Sequence, residues 1–214
     1  MMNNATIVAR TDAMLIFFTG MRIGECVALK WTDVDFDRKL LHVQRIEEKV
    51  PDCDTDYTKL SHYHYEIYEN EVKGGVEGFG PRDVILTDDA IYILRLLKEY
   101  YEDVRIHSEW MFVSERYGKM HERAVDMKIR KLCDDCGIVT KSTHKIRATY
   151  ISLLAAENVS WARIAKQVGH KQVSTTMNYY FHDVRSDEEN REIISNSLNF
   201  MEGRKGAQKN QQSA

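Results

Sequence analysis

The stretch from Thr143 to His182, THKIRATYISLLAAENVSWARIAKQVGHKQVSTTMNYYFH, limits the fold more than any other part of the chain. Ile146, Tyr150, Leu153 and Leu154 recur at i, i+4, i+7 and i+8, the period of a helix with one buried stripe. A helix is therefore expected from about His144 to Glu157. His144 and Arg147, three apart, lie beside that stripe and should emerge together at its margin. The free N–H groups and dipole of a helix N-terminus favour anions, so this end is a natural phosphate seat. Gly169 suits the cap of a second short helix, Trp161 to Val168, and holds His170 in a defined turn. Ser174, Thr175 and Thr176 offer an N-cap for a third helix carrying Met177, Tyr179 and Tyr180.

Upstream, Thr11 to Phe18 reads as a largely buried helix ended by Thr19-Gly20. Arg22 to Trp31 reads as another, with Arg22 and Glu25 on one side. Turn residues fill Thr32 to Asp37, and Val50 to Thr58 reads as a loop. Three segments have strand character: Leu40 to Ile46, Tyr63 to Val72 and Arg82 to Leu86. Between the last two, Lys73 to Pro81 holds four glycines and a proline in nine residues, the composition of a hairpin tip. Thr87, Asp88 and Asp89 start a helix that runs through Tyr101. Trp110 to Val113 is a short buried segment, and His121 to Cys136 a further amphipathic helix ended by Gly137. Asp187 to Met201 fits a short helix, and the polar Glu202 to Ala214 a disordered tail. The chain is thus expected to be mainly α with a small three-stranded antiparallel β-sheet, an α+β domain with appendages.

Composition excludes some classes and favours none. No apolar run is long enough to span a bilayer, and MMNNATIVAR is not an apolar signal segment. Four irregularly placed cysteines suit a reducing, cytoplasmic setting. Cys133-x-x-Cys136 lacks a second ligand pair, so two thiols on a helix are expected rather than a metal centre. A net charge of −3 does not suggest nucleic acid, although the field in a cleft depends on the groups that line it.

Singly, each feature has a bland reading: a surface histidine and arginine, a capping histidine, tyrosines filling core space. Jointly they match a pattern. Thr19-Gly20-Met21-Arg22-Ile23-Gly24-Glu25, followed by Leu29-Lys30-Trp31 and Asp33-Val34-Asp35, resembles the first-arginine motif of the tyrosine recombinases, the phage-integrase family. His144-Lys145-Ile146-Arg147 resembles its H-x-x-R box, Val168-Gly169-His170 its L-G-H, and Ser174 to His182 its nucleophile segment. The order and spacing agree from about Thr11 to Val184.

The resemblance implies the tyrosine recombinase catalytic-domain fold, here within residues 1–184, and site-specific recombination of double-stranded DNA without cofactor or metal. It implies Arg22, Lys73, His144, Arg147, His170 and Tyr180 as catalytic residues and Glu25 as an acid orienting a histidine from behind them. Tyr180 is preferred to Tyr179 because His182 completes the family's Y-x-H ending. A homo-tetramer on DNA is implied, with residues 185–201 passed between protomers and 202–214 a tail. Two features depart from the family. Only about ten residues precede the match, where an amino-terminal DNA-binding domain is usual, and Lys73 stands nine residues before Arg82, a longer spacing than usual. Two other readings share the motifs: a nicking and resealing enzyme like the type IB topoisomerases, and a decayed integrase that binds DNA without cutting it.

Overall fold

Helix α1 (Thr11–Thr19) is apolar almost all round and sinks Leu15 and Ile16 completely into the core. Gly20 closes it in the left-handed region, φ 63°, with its N–H on Ile16 O at 2.8 Å. A Cβ at Gly20 would also lie 2.3 Å from the Tyr150 ring, so both backbone and packing call for glycine. The computed structural model describes residues 10–51, 63–69, 80–114 and 118–178, together with 188, 189, 191, 192 and 195. The chain divides into two compact units, Met1–Phe181 and His182–Ala214. In the second, Glu188, Glu189, Arg191, Glu192 and Ser195 are helical and exposed.

Helix α2 (Ile23–Val27) is half the length expected from the Arg22 to Trp31 pattern. The backbone after it is claimed by other partners. Met111 N–H donates to Leu29 O, Trp31 N–H to Glu109 O, and Lys30 N–H to Asp33 Oδ2 at 2.7 Å. A 3₁₀ turn over Trp31–Asp33 follows and leads into strand β1 (Val34–Asp35), where a turn was expected.

The expected strand from Leu40 to Ile46 is two strands, β2 (Leu40–Val43) and β3 (Arg45–Pro51). Arg45 causes the break, because its buried guanidinium turns inward to Asp33, to Glu69 at 2.9 Å and to Ala28 O at 3.2 Å. β3 pairs with β4 (Tyr63–Glu69) and stays paired through Val50 and Pro51, which the sequence pattern assigns to a loop. β2 instead pairs with β1 and with β5 (Arg82–Ile85), in the order β1-β2-β5, all antiparallel. Leu41 faces Val84 there, and both are fully buried. The three-stranded antiparallel sheet exists, but Tyr63–Glu69 belongs to a separate two-stranded one. Part of the glycine-rich segment, with Lys73, lies outside the described residues.

Helix α3 (Asp88–Asp103) starts as expected, Thr87 Oγ1 accepting from Ala90 N–H at 3.2 Å. Met111 and Phe112 are buried ahead of a small hairpin, β6 (Val113–Ser114) and β7 (Gly118–Lys119). Helix α4 (Glu122–Asp135) buries Val125, Ile129 and Cys133 on one stripe, while Cys136 is exposed. Leu15, Ile16, Leu29, Leu41, Leu94, Met111 and Ile129 belong to the main core.

Three helices complete the first unit: α5 (Thr143–Ala156), α6 (Trp161–Val168) and α7 (Val173–Met177). The stripe read from the sequence is displaced on α5. Leu153 is exposed and Ile146, Tyr150 and Leu154 are only partly buried, while Thr143, Arg147, Ile151, Ser152 and Ala156 are buried. Arg147 therefore sits on the buried face, not at its margin. Ile151, Ile164 and Val168 form a second small core. On α7 the N-cap is Gln172, which puts Ser174, Thr175 and Thr176 inside the helix. Tyr179, Tyr180 and His182 lie outside the described residues.

Candidate active site

Arg22 is the N-cap of α2, and Glu25 is the third residue of that helix. The Glu25 carboxylate reaches back to accept the Arg22 N–H at 2.8 Å and Nη1 at 3.1 Å. Glu25 is fully buried, and a buried carboxylate needs strong donors. Arg82, at the start of β5, supplies them as a two-pronged fork, Nη1 to Oε1 at 2.9 Å and Nη2 to Oε2 at 2.7 Å. Burial alone would push the Glu25 carboxyl up; the Arg82 hydrogen bonds and charge, then Arg22, overcome this and hold it below the usual range. Glu25 is expected to orient a histidine, yet the hydrogen bonds it makes are with two arginines, the strongest donors within reach. Arg22 keeps part of its side chain exposed.

Arg147 is 2% exposed. Its Nη1 donates to Gly20 O at 2.5 Å and its Nη2 to Val168 O at 2.8 Å. These carbonyls close α1 and α6, and helix C-termini carry partial negative charge that favours a cation. One guanidinium thus joins the carboxyl ends of two helices and fixes Arg22 and His170, two residues beyond each, relative to α5.

Gly169 ends α6 with φ 75°. A Cβ there would lie 2.6 Å from Arg82 Nη1, so the turn brings backbone against the arginine that holds Glu25. The Gln167 backbone accepts from Arg82 Nε at 3.0 Å, and its side-chain amide exchanges two hydrogen bonds with the Ile85 backbone. Arg82 and Gln167 together dock α6 onto β5. His170 follows, its N–H on Ala165 O and its Nδ1 2.9 Å from Thr176 Oγ1. Burial first, then the charges of Arg147, Arg22 and Arg82, depress its pKa to about 4 against a smaller opposing effect from Glu25. The ring is neutral at physiological pH.

An open cleft of about 370 Å³ gathers Arg22, His144 and Arg147, with Lys49, Glu47, Glu48 and Glu122 among its other lining residues. His144 is exposed in the first turn of α5, after Ser142 caps the helix by accepting from Lys145 N–H. Glu47 is buried and paired with Lys119 and with His121 at 2.9 Å. His170 is not among the residues that line this cleft, but its ring feels the charges of Arg22 and Arg147, which are. Of the residues the sequence singles out, Arg22, Glu25, His144, Arg147 and His170 are described, while Lys73 and Tyr180 lie outside the described residues. Among the described residues no group of three or more His, Cys, Asp or Glu side chains is arranged to hold a metal ion.

Sequence reasoning missed Arg82. It reads as the first residue of a strand, and the available signal was the demand for a partner to Glu25, once that acid is taken to be buried. Thr176 was read as part of a cap and is instead the partner of His170.

Comparison with known proteins bears on the fold and the family. A XerC-like tyrosine recombinase of Caldanaerobacter subterraneus is 25% identical over 86% of the chain, and the integrase of Staphylococcus phage L54a is 28% identical over 77%. The chain spans about half the length of these curated relatives, 48% and 45%. Among solved structures, XerA recombinase superposes with a TM-score of 0.59 at 20% identity, covering 91% of this chain and 61% of that one. The Tn1549 transposon integrase, solved with transposon right end DNA, gives 0.60 at 17% identity over 87% of this chain and 58% of that one. These likenesses establish the tyrosine recombinase catalytic-domain fold. The profile of the phage integrase family matches residues 1–186, and the chain belongs to that family.

Proposed function

We propose that this chain carries the catalytic centre of a site-specific recombinase that cuts and rejoins double-stranded DNA through a tyrosine, serving integration or excision of a phage or mobile element. The observation that carries this reading is the gathering of Arg22, His144 and Arg147 around one cleft from segments far apart in sequence. Attack on a phosphodiester builds negative charge on its nonbridging oxygens, and preorganised cationic donors lower that barrier. Arg22, whose side chain is partly exposed, can meet those oxygens directly, and Arg147, whose Nη1 and Nη2 hold Gly20 O and Val168 O, adds its charge from the cleft wall.

In the proposed step the Tyr180 oxygen attacks phosphorus and the bond from phosphorus to the 5′ oxygen breaks. His144 or His170 takes the phenolic proton or hydrogen-bonds the phosphate, and Lys73 protonates the departing 5′ oxygen. The resulting 3′-phosphotyrosyl link retains the bond energy, so a 5′ hydroxyl from a second strand reverses the step without ATP. The working assembly is a homo-tetramer on two DNA sites in the cytoplasm, with residues 185–201 passed to a neighbouring protomer.

The test is covalent trapping on a nicked duplex whose cleaved strand cannot religate. A protein–DNA adduct is expected with the wild type and none with Tyr180→Phe. An adduct that survives in Tyr180→Phe and disappears in Tyr179→Phe moves the nucleophile by one residue. Binding without an adduct at any recombination site sinks the catalytic reading, and steady relaxation of supercoiled DNA without exchange between sites favours a topoisomerase.

A further inference from the structure

Thr176 is fully buried on α7, and its Oγ1 lies 2.9 Å from Nδ1 of His170. A hydroxyl withdrawn from water must give its proton to an acceptor, and a neutral imidazole has one acceptor nitrogen and one N–H. We propose that Thr176 is a positioning residue: its hydroxyl donates to Nδ1 of His170 and so fixes the ring as the Nε2–H tautomer, a hydrogen-bond donor toward phosphate oxygen. This rests on the strand-transfer reading of the site.

Three further observations fit. The backbone that carries the ring is anchored, because the left-handed turn at Gly169 holds the His170 main-chain N–H on Ala165 O at 2.9 Å. Thr176 and His170 are joined by a short segment, so the helix that presents the hydroxyl moves with the histidine. The charges around the ring are Arg147 from α5, Arg22 from the start of α2 and Arg82 from β5, opposed by Glu25. Burial first, and then these three cations against one carboxylate, keep the ring uncharged, and a neutral ring whose Nδ1 is accepting has its proton on Nε2. His170 then cannot remove the phenolic proton of Tyr180 through that nitrogen. Of the two histidines, His144, which lines the cleft, is left as the base, and His170 offers a donor N–H near Arg147 and Arg22. The geometry thereby separates two roles that the sequence leaves interchangeable.

The experiment combines long-range ¹H–¹⁵N spectra of the ¹⁵N-histidine-labelled chain with the trapping assay. The His170 signals are identified by their loss in His170→Gln. In the wild type they should show the Nε2–H pattern. Thr176→Val should abolish that single tautomer and slow adduct formation by roughly ten- to a hundredfold, less than or equal to the loss of one oxyanion donor. It should also raise the pH at which the His170 signals titrate, because the hydrogen bond that favours the neutral ring has gone. Thr176→Ser should restore all three. An Nδ1–H pattern in the wild type, or wild-type rates and His170 titration in Thr176→Val, overturns the proposal. Should Thr176→Val fail to fold, the wild-type tautomer and Thr176→Ser still decide. A wild type with the Nε2–H pattern that forms no adduct upholds the tautomer and removes the strand-transfer reading instead.

Discussion

Replacing Arg82 with methionine tests whether the Arg22–Glu25–Arg82 group is the electrostatic keystone of the fold around the site. The wild-type guanidinium makes two hydrogen bonds to a fully buried carboxylate, at 2.9 and 2.7 Å, and a third to Gln167 O at 3.0 Å. Methionine fills much of the volume but leaves Glu25 with Arg22 alone. Removing one partner of a buried ion pair costs about 3–5 kcal/mol, which for a chain of this size lowers Tm by roughly 6–20 °C. Adding Glu25→Gln removes the orphaned charge, and the cost of Arg82→Met should then fall to about 1–2 kcal/mol, mainly the lost bond to Gln167. Thermal and urea unfolding of the four proteins in this cycle measures the coupling. The pH dependence has a defined sign. In the wild type the Glu25 carboxyl is held below its usual value, so its contribution is present above the unfolded pKa and fades as pH falls through the folded one. In Arg82→Met burial dominates and the carboxyl rises, so the deficit relative to wild type should shrink between pH 7 and 5. A loss below about 1 kcal/mol, or one that Glu25→Gln leaves unchanged, refutes the reasoning.

Two further outcomes follow from the same geometry. His170 titrates at about 4 in the folded chain, against roughly 6.5 when unfolded, so the unfolded state binds the extra proton and stability drops as pH falls through that window. Between pH 7.5 and 5 the wild type should lose about 1–2 kcal/mol more than His170→Gln, after allowance for partial exposure, as read from urea midpoints. Gly169→Ala combines a left-handed backbone with a Cβ pressed on Arg82, whereas Gly137→Ala meets the same backbone with nothing within 4 Å. Thermal melts should place the Gly169 variant about 1–3 kcal/mol below wild type and the Gly137 variant nearer to it.

What the sequence revealed depended on the range of the interaction concerned. Helices α3, α4 and α6 were legible because their caps and apolar period are local, Thr87 and Gly169 being cases in point. Helix α2 was overestimated because the backbone of Leu29 and Trp31 bonds to Met111 and Glu109, some eighty residues away, and no local propensity reports that. Strands β2 and β3 were fused for the same reason, since the break at Gln44 exists to bury Arg45 against Asp33 and Glu69. On α5 the aliphatic pattern pointed to Leu153, yet an arginine took the buried face. Arg147 can do so because it bonds two helix-terminal carbonyls, a compensation invisible without the partner helices. The motifs exposed Arg22, His144, Arg147 and His170, whereas Arg82 and Thr176 act through those residues and carry no signature of their own.

The net charge of −3 shows the same limit in electrostatic form. It sums over the molecule, whereas a phosphate in the cleft meets the local field. Glu25 is engaged by Arg22 and Arg82, and Glu47 by Lys119 and His121. Two acids on the cleft wall remain, and both have raised pKa values, Glu48 through burial and Glu122 through burial and then the charges of Glu47 and Glu48. An approaching phosphate pushes both further toward the neutral form, since like charge disfavours ionisation. Arg22 and Arg147 keep their charge under the same influence. The balance within the cleft therefore moves toward positive as an anion arrives, although the whole chain stays acidic. Composition sets the field of the chain at a distance, and pairing inside the cleft sets the local field that an anion meets there.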